Sequence, residues 1–110
     1  MKDPIEVAKL HYKLLEEKNY DLWITTLSRF LRETHSIPGS TAKKYWNKGT
    51  KMVDLGMKYE YLSEDVGART ETRRKFFFKR IGIDDKEVPP PVSIILIKEG
   101  EEWKVEKAEY

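Results

Sequence analysis

The strongest constraint on the fold of this chain comes from residues 92–110, which have the pattern of a β-hairpin. The run VSIILIK at residues 92–98 predicts a strand, EGEE at residues 99–102 predicts the turn, and WKVEK at residues 103–107 predicts the returning strand. An isolated hairpin is only marginally stable in water. This apolar ribbon must therefore belong to a larger sheet, and other elements must cover one of its faces.

The register of the hairpin follows from its turn. A two-residue and a four-residue connection both place Lys98 opposite Trp103. Ile95 and Ile97 then lie on the outer face, and a slip of one residue would exchange the two faces. The inner face in this register contains Val92, Ile94, Leu96, Trp103 and Val105.

Three segments ahead of the sheet have helical periodicity. The first helix is predicted over residues 4–18, with Asp3 as its N-cap and Pro4 at its first position. The second is predicted from the junction at residues 19–21 to about residue 32. The short junction between them requires a sharp bend, so these two helices should pack as a pair.

The third helix is predicted to begin after Ser40 or Thr41 and to end near Leu55, with Gly56 as the residue that follows it. Gly49 lies on its apolar stripe, at a cost of about 1 kcal/mol relative to alanine. We expect this cost to be offset by close approach to another backbone or to a cavity.

The period of the pattern changes to two after Met57. Residues 58–63 and 68–81 predict two further strands, which pair with each other and with the hairpin as an antiparallel meander. The predicted inner face of the longer strand contains Ala68, Thr70, Thr72, Arg74, Phe76 and Phe78. The chain is therefore predicted to be one α+β domain over residues 1–110, with three N-terminal helices packed in the concave face of a curved four-stranded antiparallel sheet.

The composition agrees with a globular domain and excludes several classes of function. Hydrophobic residues make up 39% of the chain, and 21 basic against 19 acidic residues give a formal charge of +2, so no strong overall field favours nucleic acid. Cysteine is absent, which excludes disulfides. The two histidines lack metal-ligand spacing and no phosphate-binding or nucleophile motif is present, so we expect neither a metal nor a cofactor.

The location and source of the protein are predicted from the same composition. The longest apolar run is too short to span a membrane and the N-terminus lacks a signal-peptide core, so we expect a cytoplasmic protein without membrane contact. The absence of glutamine and the scarcity of asparagine beside many lysines and glutamates indicate a thermophilic source.

Three features together carry a resemblance to a known family: Tyr12 in the first helix, the sequence NYD at residues 19–21, and the final strand EWKV at residues 102–105. With three helices followed by a meander, the chain resembles the nuclear transport factor 2-like superfamily, and among its members the small stand-alone proteins. The resemblance implies a cone-shaped sheet with a cavity at its wide end. Some members are isomerases, cyclases or dehydratases, and others bind ligands or proteins without chemistry.

The residues predicted to line such a cavity and bind a ligand are His11, Tyr12, Trp46, Tyr59, Arg74 and Trp103. For His11, the alternatives are a core histidine bonded to its neighbours and a polar group that faces the ligand. For Arg74, they are a bond inside the domain and capture of an anionic small molecule. The inner faces of the strands offer no carboxylate before Lys107 and Glu109, so a general base is hard to place. A small-molecule-binding module is therefore favoured. The alternative is an isomerase or a dehydratase-like lyase that uses His11 with a tyrosine.

The outer face of the sheet predicts a partner. Phe77, Ile95 and Ile97 project away from the helices on an otherwise charged surface, and a two-fold axis would let this patch bury itself against a second copy. We therefore expect a homodimer through this face. The basic and aromatic stretch at residues 69–80 has the composition of proteins that bind single-stranded nucleic acid. The alternation of the strand divides its charges between two faces, however, so we do not expect nucleic acid as a partner.

Overall fold

Helices form the first half of the chain and strands the second half in the computed structural model, which describes residues 2–110. The predicted α+β class is confirmed, because the helices pack against one curved antiparallel sheet of strand order β1-β2-β3-β4. None of the helices described is both long and apolar enough to cross a bilayer. The elements are α1 (Pro4–Glu16), α2 (Tyr20–Trp23), α3 (Arg29–Glu33), α4 (Thr41–Asp54), β1 (Lys58–Glu64), β2 (Arg73–Ile81), β3 (Val92–Glu99) and β4 (Glu102–Ala108).

Helix α1 begins as the sequence predicts. The Asp3 carboxylate accepts a hydrogen bond of 2.8 Å from the Ile5 N–H, and Pro4 occupies the first turn. The helix ends at Glu16 rather than at residue 18, because Lys18 adopts a left-handed conformation with φ of 55°. This conformation reverses the chain and directs it into α2.

The predicted second helix is wrong in its continuity. The structure divides residues 20–32 into α2, a 3-10 turn over Ile24–Thr26 and α3. Leu27 is extended and forms a parallel bridge with Val105, and the Ser28 N–H donates to the Val105 carbonyl over 2.7 Å. The chain leaves the helix here because the edge of β4 offers its backbone another hydrogen-bonding partner.

Helix α4 passes very close to α1 at Gly49. A Cβ atom at this position would lie 2.5 Å from Leu15 Cδ2, and Leu15 is fully buried. The close approach is present, but the neighbour is the Leu15 side chain and not the backbone or cavity that the sequence led us to expect. At its N-terminus, the Ser40 hydroxyl accepts from the Lys43 N–H over 3.1 Å, which makes Ser40 the N-cap.

Strand β2 begins at Arg73 and not at residue 68. Residues Val66–Ala68 form a 3-10 turn, and the Thr70 N–H donates to the Arg73 carbonyl over 2.9 Å in the reversal that follows. Thr70 and Thr72 therefore do not lie on the inner face of a strand, as the alternation had predicted. Phe76 and Phe78 are buried on that face, as expected.

The predicted register of the hairpin is confirmed, since Lys98 pairs with Trp103 and Leu96 pairs with Val105. Irregularities interrupt the ladder between Tyr61 and Ser63 in β1 and near Ile95 in β3. Bulges of this kind bend a strand and increase its twist, which suits a sheet that curves over helices. The buried inner face of the hairpin consists of Val92, Ile94, Leu96, Trp103 and Val105.

Candidate functional site

His11 lies in the centre of the core, fully buried and bonded through both ring nitrogens. The Thr26 hydroxyl donates to the Trp23 carbonyl over 2.7 Å, so it accepts the Nδ1–H of His11, with 2.8 Å between the two heavy atoms. Nε2 then accepts a hydrogen bond of 2.7 Å from the Tyr110 hydroxyl. Burial lowers the pKa of His11 to about 3, which keeps the imidazole neutral.

Tyr110 fills the middle of the concave face. Its ring centroid lies 5.8 Å from that of His11, 5.9 Å from those of Tyr12 and Tyr45, and 6.5 Å from that of Tyr59. The adjoining carbonyl of Glu109 accepts a bond of 3.0 Å from the Tyr12 hydroxyl. Two of the predicted ligand-binding residues, His11 and Tyr12, are thus packed around a side chain of the protein itself.

Arg74 is engaged by Glu64 on the neighbouring strand. Nε and Nη2 of Arg74 donate to the two carboxylate oxygens over 2.6 and 2.8 Å, and both side chains are largely shielded, at 14% and 11% exposure. These two hydrogen bonds lower the pKa of Glu64 and raise the pKa of Arg74. Capture of an anionic ligand by Arg74 remains a prediction, and it would require this bidentate pair to open.

The other three predicted residues lie on three separate surface grooves, named here for the elements that flank them. Tyr59 lies in the α1–β1 groove of about 430 Å³, Trp46 in the α2–α4 groove of about 510 Å³, and Trp103 in the α1–β4 groove of about 460 Å³. Each volume falls within the range of small-molecule sites. The α1–β1 groove is lined by Lys9, Lys13, Glu16, Tyr59, Glu60, Tyr61 and Phe78.

Tyr59 gives the α1–β1 groove its most unusual feature. Its ring stacks on Tyr12 with 4.5 Å between centroids, and its hydroxyl is buried without a hydrogen-bond partner anywhere in residues 2–110. Burial raises the pKa of Tyr59 to about 12, against the opposing effect of the nearby Arg80 charge, so the hydroxyl keeps its proton at neutral pH. The Lys9 ammonium lies 5.6 Å from the centroid of the Tyr61 ring.

Sequence reasoning missed the helical side of this groove. Lys9, Lys13 and Glu16 belong to the polar side of α1 in a helical projection, yet all three line a concavity. Burial of Glu16 raises the pKa of its carboxyl group, which places a perturbed acid beside Tyr59. No pattern in α1 alone could have shown this, because the curved sheet supplies the opposite wall.

The outer face of the sheet carries the predicted apolar patch. Phe77, Ile95 and Ile97 are half-buried and point away from the helices, in alternation with the buried positions of β2 and β3. Leu62, in the irregular part of β1, is 43% exposed and adjoins the residue paired with Phe77. The patch is present, and its role as a dimer interface stays a prediction.

No protein-family model matches this chain, and no curated protein matches it in sequence. The function must therefore be inferred from the geometry of the grooves and of the sheet. Among the grooves, the one between α1 and β1 combines a buried hydroxyl without a partner, aromatic walls and several charged groups.

Proposed function

We propose that this domain is a small-molecule-binding module of the nuclear transport factor 2-like kind, and that its α1–β1 groove holds an anionic ligand. The arrangement of helices on the concave face of a four-stranded meander supports the kinship. The buried hydroxyl of Tyr59 is the single observation that carries the site. Neighbouring groups cover this hydroxyl in the structure, so an acceptor on the ligand would reach it after one of them moves aside and would then supply the missing partner.

The charges around the groove favour an anion. Neither Lys9 nor Lys13 makes an ion pair with any described residue, so both ammonium groups are free to meet a ligand. Within residues 2–110, the guanidinium of Arg80, which influences Tyr59, bonds only to the carbonyls of Val88 and Pro89. Lys58 and Glu17 both act on Glu16, so the basic groups Lys9, Lys13, Lys58 and Arg80 outnumber the three carboxylates Glu16, Glu17 and Glu60.

Binding of 1-anilinonaphthalene-8-sulfonate, an aromatic anion that fluoresces in apolar sites, tests the proposal. We expect a saturable signal with the native protein and about tenfold weaker binding by the Lys9→Ala/Lys13→Ala variant, because a charge-assisted contact is worth about 1.4 kcal/mol or more. The Lys44→Ala/Lys51→Ala variant removes the same charge from α4 and serves as the control. Equal affinities for these two variants would contradict the assignment of the groove.

Tyr59→Phe sharpens the test because it removes only the hydroxyl. The substitution should weaken probe binding while leaving the protein as stable as before or more stable, since it removes a buried polar group that has no partner. Thermal unfolding of the same samples supplies the stability measurement. A loss of stability with unchanged binding would show that the hydroxyl serves the fold instead.

The alternative function is a cavity enzyme of isomerase or dehydratase type that uses His11 with a tyrosine. His11 and Tyr110 are bonded to each other over 2.7 Å, but both lie in the core and both ring nitrogens of His11 are engaged. A substrate would have to displace Tyr110 before it could reach Nε2. The geometry therefore favours binding over catalysis.

We also propose that two copies associate through the outer sheet face. The patch formed by Phe77, Ile95, Ile97 and Leu62 lies among charged neighbours, and a two-fold axis would bury it against its own copy. Ile95→Glu places a charge in the middle of the patch and should convert the dimer into a monomer.

Light scattering during size-exclusion chromatography measures the mass of each species. Ile37→Glu, the same substitution at an exposed position of the loop before α4, is the matched control and should keep the mass of the native protein. A native protein with the mass of one chain at micromolar concentration would exclude the dimer.

A further inference from the structure

We propose a second ligand site, distinct from the α1–β1 groove, in which the α2–α4 groove binds a planar aromatic carboxylate. This groove has a volume of about 510 Å³ and is lined by Tyr20, His35, Ser36, Lys43, Trp46 and Asn47. The volume is sufficient for a bicyclic aromatic ring with an acidic substituent.

The walls of the groove are three aromatic rings held in a fixed arrangement. Tyr20 and Trp46 meet edge to face with 5.0 Å between centroids and an interplanar angle of 78°. The His35 ring lies 5.6 Å from Tyr20, and the Tyr20 hydroxyl bonds to His35 Nδ1 over 2.8 Å. His35 is therefore half-buried and held in place by this bond. Anchored rings lose little freedom when a flat ligand stacks on them.

Trp46 also packs against the core of the domain. Trp23, which is fully buried, packs against it with 5.1 Å between centroids, and Tyr20 lies 6.0 Å from Trp23. The indole N–H of Trp23 is buried without a hydrogen-bond partner in the part of the chain that the structure describes. The aromatic wall of the groove thus packs against a buried tryptophan whose indole N–H has no hydrogen-bond partner among residues 2–110.

The polar groups of the groove select a carboxylate. No acidic side chain lines it, and Lys43 makes no ion pair within residues 2–110. Among the residues that the structure describes, the Lys43 ammonium reaches only the Ser36 carbonyl, over 3.5 Å, which is a weak contact. Because the Asn47 amide and the Ser36 hydroxyl add neutral donors, an anionic group on an aromatic ligand finds one cation and several hydrogen bonds in one place.

The three tryptophans make this site directly observable with 2-naphthoate as the probe. In ¹⁵N-edited NMR spectra, the indole N–H signals of Trp46 and Trp23 should shift on titration and yield one dissociation constant. The signal of Trp103, in a different groove, is the internal reference and should move little. Absence of saturable shifts at Trp46 up to millimolar probe would overturn the proposal.

Charge recognition is tested by substitution on one helix. Lys43→Ala should weaken naphthoate binding about tenfold, the effect of losing roughly 1.4 kcal/mol, while Lys51→Ala, an equal loss of charge on the exposed side of α4, should not. The uncharged analogue 2-naphthalenemethanol should bind more weakly than naphthoate to the native protein. Equal effects of the two substitutions, or equal binding of the two probes, would refute carboxylate recognition.

The two ligand sites can fail independently. The Lys9→Ala/Lys13→Ala variant should leave the naphthoate titration at Trp46 unchanged, because those lysines line only the α1–β1 groove. If it weakened naphthoate binding as much as Lys43→Ala does, the probe would be bound in the α1–β1 groove and the second site would be refuted.

Discussion

Acid should destabilise this protein through a single buried histidine. The pKa of His11 is about 3 in the folded chain, against an ordinary value of 6.5. Between these values the unfolded chain binds a proton that the folded chain does not, so the free energy of unfolding falls as the pH decreases. The stabilising effect of the neutral imidazole is fully present above about pH 6.5 and is lost progressively towards about pH 3.

The expected size of this effect follows from the shift. Each pH unit below 6.5 costs about 1.4 kcal/mol, so lowering the pH to about 5 should remove roughly 2 kcal/mol. A domain of this size has a total stability of about 5–15 kcal/mol. The side chains packed around His11 are those of Thr26, Tyr12, Trp23 and Tyr110, and none of these four side chains is charged at neutral pH.

Urea unfolding at about pH 7.5 and about pH 5 measures the effect, because the midpoints give the free energy at each pH. His11→Gln keeps a polar side chain near Thr26 and Tyr110 but cannot be protonated, so it serves as the reference. The native protein should lose roughly 2 kcal/mol more than the variant between the two pH values, since all other titrating groups are common to both. Equal losses in the two proteins would refute the inference that a neutral imidazole is buried in the core.

Three further changes test the packing and pairing described above. Tyr110→Phe removes the hydroxyl bonded to the buried imidazole and should cost about 1–3 kcal/mol in urea unfolding, because Nε2 loses its donor; an unchanged midpoint would contradict that bond. Arg74→Ala should cost about 1–2 kcal/mol, and a double-mutant cycle with Glu64→Gln should show that most of this loss is coupling between the two side chains; additive effects would deny the pair. Gly49→Ala should lower the melting temperature although alanine favours helix by about 1 kcal/mol, because its methyl group would meet Leu15; a higher melting temperature would show that the two helices have room to adjust.

The features predicted well from the sequence are those specified by local patterns. Both the paired positions and the buried face of the hairpin could be predicted from its alternation of apolar and polar residues. Because side chains in a strand alternate between two faces, the register also decides which residues are buried. The start of α1 could be predicted from Asp3 and Pro4, since capping depends on residues only a few positions apart. Gly49 indicated a close approach through its position on an apolar stripe, but its neighbour is a side chain and not the expected backbone or cavity.

The features that could not be predicted depend on parts of the chain that are distant in sequence. The break at Leu27 and Ser28 requires the edge of β4, which the periodicity of residues 20–32 does not contain. The α1–β1 groove requires a curved sheet beside α1, so the polar side of a helical projection could not distinguish Lys13 in solvent from Lys13 in a concavity. Tyr110 follows the last strand and has no periodic context, yet it fills the centre of the core.

The bridge from Leu27 and Ser28 to Val105 also limits how this protein can assemble through its strands. An antiparallel sheet recruits further strands at two edges, and a fibre needs both of them to grow. Here the β4 edge is bonded at Val105 to the chain's own backbone, and the irregularity near Leu62 distorts β1, the other edge. A strand from a second copy could therefore pair along the whole of β4 only after the bridge at Val105 is broken, and along the whole of β1 only across its irregularity.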